Sequence, residues 1–375
     1  MTEVPGEPEA RGPAAHIRVL VAENRGHTTV HAGYADIQAR GVSLSLPPAE
    51  LVISPEGVQT PRGLVPLPAH IRCTEPLVIG QARYHGNLLI TPAHLVNLVP
   101  LDLYVAGVVA AEVSPEWPLE ALKAQAVVSR TFAYRRMLDS REQPYDVRDT
   151  EMDQRFLLAE HHPAVEQAVR ATRDQVVLYQ DRPIEAFFHS CSGGRTERSG
   201  SVFQADLPYL QSVPDPFCAD GRSDWSATFD LAQVERAVAP YLEGGGNPDG
   251  GSGGGGAPRG GRSGLREIRM GRRTSSGRTG EFVLLYAGGD LATVAGNRFR
   301  LAVGPREMKS LLITRMSHER KDGRVLVTFQ GRGYGHGVGM SQWGTYHMAL
   351  RGYDYRRIIA YYYRGVRIGH TWDIR

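Results

Sequence analysis

Residues 108–134 read VVAAEVSPEWPLEALKAQAVVSRTFAY, and the rest of the chain is organised around them. An apolar run, 103–111, ends in a single carboxylate, Glu112. Ser114 and Pro115 break that run. Pro118 opens a second one, 119–137, rich in strong helix formers and without interior Gly or Pro. Ser114, just ahead of Pro115 and Glu116, marks a helix start. The pattern predicts two helices meeting at a corner, with Glu112 at the corner. On the second helix Lys123 and Arg130 stand two turns apart on one face, while Gln125 and Ser129 point another way. One acid beside cations and amides on a neighbouring helix suits a single-acid active site. The same residues also suit an ordinary surface, with a Glu120–Lys123 ion pair and Glu112 ending a helix in water.

The whole chain bounds these alternatives. Its 375 residues suffice for one large or two ordinary domains. A hydrophobic fraction of 41% and a charged fraction of 22% belong to a globular protein. The formal net charge of +3 is too balanced to indicate a nucleic-acid partner, and it decides nothing between a polyanionic and a neutral polymer. Cys73, Cys191 and Cys218 form no CxxC pair, which argues against a zinc site built on paired cysteines. In an oxidising compartment Cys191 and Cys218 are the candidate disulfide. No apolar run reaches the roughly 18–20 residues of a membrane span, and the opening residues lack the apolar core of a signal peptide.

Residues 1–15, rich in Pro, Gly and Glu, are expected to be disordered. From residue 16 to 100 short β-like runs (17–22, 28–31, 42–46, 51–53, 88–91) alternate with Gly, Pro and Asn, predicting a β-rich lobe. A catalytic core follows over 101–243 and 265–375. It includes a helix at 163–173, then strands at 175–179 and 184–189 joined by a turn at 181–183. Residues 244–264 hold 12 glycines in 21 positions and are expected to be a flexible insertion. The expected fold class is α+β, with β-rich lobes around a helical core that carries the acid.

Two further motifs stand out. SCSGGRTE (190–197) follows a strand, and its two glycines can present backbone N–H groups and hydroxyls to a ligand, or close a structural turn. No GxSxG elbow accompanies it, so a serine or cysteine hydrolase is disfavoured. GRGYGHGVGMSQWG (331–344) sets six glycines around His336. Glycines there allow close approach of a ligand or of another segment. His336 is thus either a donor to substrate or a packed structural histidine. The aromatic run Tyr361–Tyr362–Tyr363 suits core packing as readily as sugar stacking.

Three motifs in fixed order carry a resemblance: Glu112 with PLEALKAQAVVSRTFA, SGGRTE after a hairpin, and GHGVGMSQWGTYHMALRGYDYRRIIAYYYRGV. Together they resemble the stage II sporulation protein D (SpoIID/LytB) family over residues 17–367. The resemblance implies a peptidoglycan lytic transglycosylase that cuts between N-acetylmuramic acid and N-acetylglucosamine, prefers strands stripped of stem peptides and leaves 1,6-anhydro ends. It implies Glu112 as the catalytic acid, and Lys123, Gln125, Arg130, Ser192, Gly193, His336, Ser341 and Gln342 as substrate contacts. Some members hold zinc through two cysteines. Here those positions are Arg148 and Asp153, so no metal and no cofactor are expected. The implied partners are glycan strands and a cell-wall amidase, and the implied place is the cell envelope. A monomer that does not bind nucleic acid is expected. The family also includes amidase enhancers, so a non-catalytic glycan-binding module is the alternative function.

The chemistry explains how one carboxylate suffices. Most glycosidases need two. A lytic transglycosylase uses the C6 hydroxyl of the muramic acid as nucleophile, so no second group has to activate water. The acid must be protonated near neutral pH, which calls for partial burial. Glu116 and Glu120 are rivals by proximity, and Glu120 is expected on the solvated helix face.

Overall fold

The computed structural model describes residues 15–84, 87–149, 153–154, 156, 162–203, 205–218, 223–242 and 264–374. The expected disorder of 1–15 and the expected insertion at 244–264 fall outside these residues, apart from Ala15 and Gly264. Ala15 is tied down, its carbonyl accepting the Leu101 N–H at 2.8 Å. The mixed α+β class is present. The chain divides into two compact units. One runs to Glu185 and regains the C-terminal segment from Ile368; the other is Ala186–Arg367.

The β lobe of the first unit consists, among the described residues, of a seven-stranded and a six-stranded sheet. The larger is antiparallel from His16–Glu23 through His94–Pro100, Asn87–Ile90, Ala69–Cys73 and Ala35–Ala39 to Val42–Leu46, with Val147–Arg148 added in parallel at the other edge. The smaller is built on the pairing of Thr28–Ala32 with Ala49–Ser54. Alternating burial in Ala35–Ala39 gives that strand one wet and one dry face, whereas the central His94–Pro100 is buried along most of its length. Asn24 is buried, and its amide donates to the Ser54 carbonyl at 3.2 Å and the Thr91 carbonyl at 2.8 Å. The expected strands are present with slightly shifted ends. Short strands such as Gly57–Thr60 and Gly63–Val65 were not expected. Three or four residues are too few for a period of two to register, and these strands exist because a neighbour pairs with them.

Two long helices follow the lobe. Helix α1 (Leu101–Glu112) is buried at Leu101, Tyr104 to Val109, that is, on most of its faces, as its apolar run requires. Helix α2 (Leu119–Asp139) begins later than Ser114 suggests. Ser114 closes a turn instead: its carbonyl accepts from Trp117 N–H at 3.1 Å, and its Oγ from Glu116 N–H at 3.3 Å. Pro118 occupies the N-cap without a side-chain cap. Helix α3 (Pro163–Ala171) leads to the strand Gln175–Tyr179. That strand turns back only as Arg182–Pro183, and on its other edge it receives Arg367–His370. The second arm expected over 184–189 is therefore divided. Phe188–His189 pairs instead, in parallel, with Met340–Ser341.

In the second unit a sheet of Asp224–Asp230, Arg324–Arg332 and Leu312–Lys321 and a sheet of Leu265–Met270, Glu281–Tyr286 and Leu291–Ala295 share one core with helices α4 (Leu231–Val238) and α5 (Gly296–Val303). Phe282 stacks on Phe299 at 4.0 Å, and Phe329 meets both edge-on. Helices α6 (Gln342–Leu350) and α7 (Tyr355–Tyr362) follow the glycine-rich motif. No described helix is long and apolar enough to cross a membrane.

Candidate active site

Glu112 is the last residue of α1 and is partly exposed. Val113, which caps the helix, is buried, with its N–H on the Val109 carbonyl at 3.0 Å. The carboxylate therefore projects from the end of a rigid, apolar helix, where an extended cap and a proline-containing turn stop the chain. Lys123 is partly buried and donates to Glu120 at 2.7 Å, the ion pair that the plain reading of the helix surface anticipates.

Arg130 differs from expectation. Its side chain is 0% exposed. Nη2 and Nε donate to Asp102 of α1 at 3.1 and 3.3 Å, Nη1 donates to the Thr172 carbonyl at 2.9 Å, and Nη2 also reaches the Val169 carbonyl at 3.3 Å. Burial lowers its pKa and the Asp102 carboxylate opposes that shift. Arg130 is a buried clamp that joins α1, α2 and the C-terminal end of α3. Lys123 and Arg130 share a sequence spacing but not an environment. Gln125 is also buried, its amide donating to Ser129 Oγ at 3.1 Å.

The two glycine motifs lie together in the second unit. Cys191 and Tyr334 exchange backbone hydrogen bonds at 3.0 and 2.8 Å, and Glu197 N–H reaches the Gly337 carbonyl at 2.8 Å. Gly333, Gly335, Gly337 and Gly339 all have positive φ. At Gly339 a side chain would also run into the Phe187 carbonyl. These glycines serve close packing of the chain against itself.

Of the residues implied as substrate contacts here, Ser192, Ser341 and Gln342 are buried, while Gly193 and His336 are partly exposed. Ser192 Oγ donates to buried Asp215 at 2.6 Å, and Tyr362 OH donates to the same carboxylate at 3.0 Å. Burial raises the Asp215 pKa, while bonds from Ser192, Tyr362, Ser341 and the Phe217 backbone pull it down. Ser341 is buried and caps α6 by accepting from Gly344 N–H at 3.2 Å. Gln342, the first residue of α6, is buried too. Gly193 holds the positive-φ turn against Leu312 and the Gly333 backbone. His336 Nδ1 accepts from Val338 N–H at 3.0 Å, and the Phe188 backbone is its other partner. Burial, with Arg300 and Arg278 nearby, pushes the His336 pKa down to about 3. Backbone groups thus engage both ring nitrogens of the partly exposed His336 and fix its orientation within the motif.

Three residues that organise this unit were not singled out from the sequence. Asp215 is one. Glu197, fully buried, accepts from Ser276 at 2.6 Å and from Arg198 N–H at 2.8 Å. Arg278, also buried, donates to the Ser192 carbonyl at 2.6 Å and the Arg195 carbonyl at 2.8 Å, and burial pushes its pKa down to about 10. Only tertiary contacts distinguish them from surface charges. Cys191 and Cys218 are bonded as a disulfide, with Cα atoms 6.0 Å apart.

The positions that could bear zinc ligands do not fit the ion. Arg148 cannot ligate a cation, its guanidinium donates to Tyr145 OH at 2.9 Å, and its backbone N–H donates to Asp153 at 2.8 Å. Among the described residues no cluster of three or more His, Cys, Asp or Glu is placed to hold a metal.

Comparison with known proteins identifies the family. The family model described as SpoIID, Stage II sporulation protein, matches residues 91–179, which contain Glu112 and all of α1 to α3. Stage II sporulation protein D of Bacillus subtilis (strain 168) is 32% identical over 295 residues, 74% of this chain and 76% of that protein. Its counterpart from Bacillus amyloliquefaciens is 30% identical over 301 residues, 75% of this chain and 77% of that one. The amidase enhancer of B. subtilis is 26% identical over 296 residues, 70% of this chain but only 40% of that protein's length. The chain spans both glycine motifs as well as the acid-bearing helix corner, and it belongs to the stage II sporulation protein D family.

Proposed function

We propose that this protein acts on the bacterial cell wall, in the cell envelope, as a lytic transglycosylase with Glu112 as its acid. The observation that carries the proposal is the position of Glu112: a partly exposed carboxylate at the end of a buried helix, in the segment that matches the family. In the first half of the reaction Glu112 gives its proton to the leaving O4 of N-acetylglucosamine as the C1–O4 bond breaks. In the second it takes the C6 hydroxyl proton of the muramic acid as the C1–O6 bond closes. Glu112 ends the cycle protonated, no water is consumed, and no metal is called for. The protein is proposed to work as a monomer, and an amidase that strips stem peptides would supply its substrate.

The test is mass spectrometry of peptide-free glycan strands digested with the wild type and with Glu112→Gln. Anhydro ends from the wild type alone are the expected result. Reducing ends would indicate a hydrolase with a second carboxylate. The rival reading, a non-catalytic amidase enhancer, draws on the relative of that name. It would hold if neither protein cleaves glycan and both bind it.

A further inference from the structure

A cleft in the second unit, not among the expected contacts, carries its own chemistry. Its floor is the disulfide and its sides are Ser190, Ser223, Asp224, Lys309, Tyr334 and Trp343. Tyr334 is 41% exposed and Trp343 38%. Both are held in place through the backbone. Tyr334 exchanges its two hydrogen bonds with Cys191, and Trp343 N–H donates to the Ser190 carbonyl at 3.0 Å. Trp343 also packs edge-on against Tyr346 at 5.5 Å. The Lys309 ammonium lies 5.7 Å from the Tyr334 ring centre, and the Lys309 carbonyl accepts from Gly335 N–H at 2.8 Å. The platform is thus preorganised, which spares ordering cost on binding.

We infer that this cleft is a saccharide subsite, in which Trp343 and Tyr334 receive the C–H faces of an N-acetylhexosamine and Lys309 receives a carboxylate on that sugar. Aromatic faces supply apolar area with a fixed orientation. The Ser190 and Ser223 hydroxyls and the Asp224 carboxylate supply the acceptors and donors that sugar hydroxyls need. Lys309 matches the lactyl group of muramic acid, which is anionic once stem peptides are gone and an amide before. The charge of the unit agrees: 25 Lys and Arg stand against 16 Asp and Glu in residues 186–367, while the rest of the chain is net acidic. With Arg130 buried in the other unit, Lys309 offers a cation on an accessible surface. The inference rests on the glycan reading above and adds where one sugar would be held and what would favour strands without stem peptides.

The test is calorimetric titration of the full chain carrying Glu112→Gln, so that ligand is not consumed. The probes are a peptide-free tetrasaccharide of alternating N-acetylglucosamine and N-acetylmuramic acid, and the same compound with its lactyl carboxylates amidated. Trp343→Ala and Tyr334→Ala should each weaken binding about tenfold or more at an unchanged melting temperature, with Trp343→Phe restoring most of it. Lys309→Met should erase the preference for the free carboxylate. Alanine variants that bind like their parent overturn the subsite. If the wild type still produces anhydro ends in that case, the transglycosylase proposal survives without it. A parent that binds neither probe, together with a wild type that makes no anhydro ends, overturns both.

Discussion

One oxygen of Asp102 accepts two hydrogen bonds from the Arg130 guanidinium, from Nη2 at 3.1 Å and Nε at 3.3 Å. Through this pair the first turn of α1 is fastened to the middle of α2. The helix that ends in Glu112 is thereby held from its opposite end.

Replacing Arg130 by Met leaves the Thr172 and Val169 carbonyls without their buried donor and Asp102 without its clamp. A loss of about 2–4 kcal/mol of stability is expected, from the cost of unsatisfied buried polar groups. Urea denaturation reads it directly. A substrate contact would instead raise KM at unchanged stability, so an unaltered unfolding midpoint would return Arg130 to the binding surface.

Gly339 and Gly352 both have positive φ, +75° and +84°. A methyl at Gly352 meets nothing within 4 Å, while at Gly339 it collides with the Phe187 carbonyl. Gly352→Ala should cost only the left-handed strain, about 1–2 kcal/mol. Gly339→Ala should cost clearly more, and comparison of the two melting temperatures isolates the steric part.

The second unit should be sensitive to acid. His189 is buried, with its pKa held well below the usual histidine value by burial and by His336 and Arg278, and His336 is pushed down to about 3. For a depressed histidine the folded state favours the neutral ring. That stability is complete above the unfolded pKa of about 6.5 and is lost progressively as pH falls toward 3. Melting temperature should decline over this window. His336→Gln should make the decline shallower, and an identical slope in the variant would refute the assignment.

The 191–218 disulfide closes a loop of sequence separation 27. Loop-closure entropy puts its contribution at about 3–4 kcal/mol. Reduction, or Cys218→Ser, should lower the unfolding midpoint accordingly. Since the bond also lines the cleft proposed as a saccharide subsite, binding of the tetrasaccharide should weaken as well.

The sequence alone determined much of the local architecture. The apolar run ending at Glu112 encoded α1, because a helix apolar on most sides must be buried, and the uninterrupted helix formers after Pro118 encoded α2. The order of three motifs encoded the family. Charge in a sequence, however, carries no burial. Lys123 and Arg130 look equivalent at a spacing of seven, yet one pairs at the surface with Glu120 and the other lies wholly inside, because α3 and Asp102 close over that part of α2. The family resemblance implied Ser192, Ser341 and His336 as substrate contacts, with no information on what they pack against. The tertiary structure made them partners of Asp215, of an α6 N-cap and of backbone. Asp215, Glu197 and Arg278 could not be picked out from their neighbours, since what distinguishes a buried ion from a solvated one is the segments packed around it.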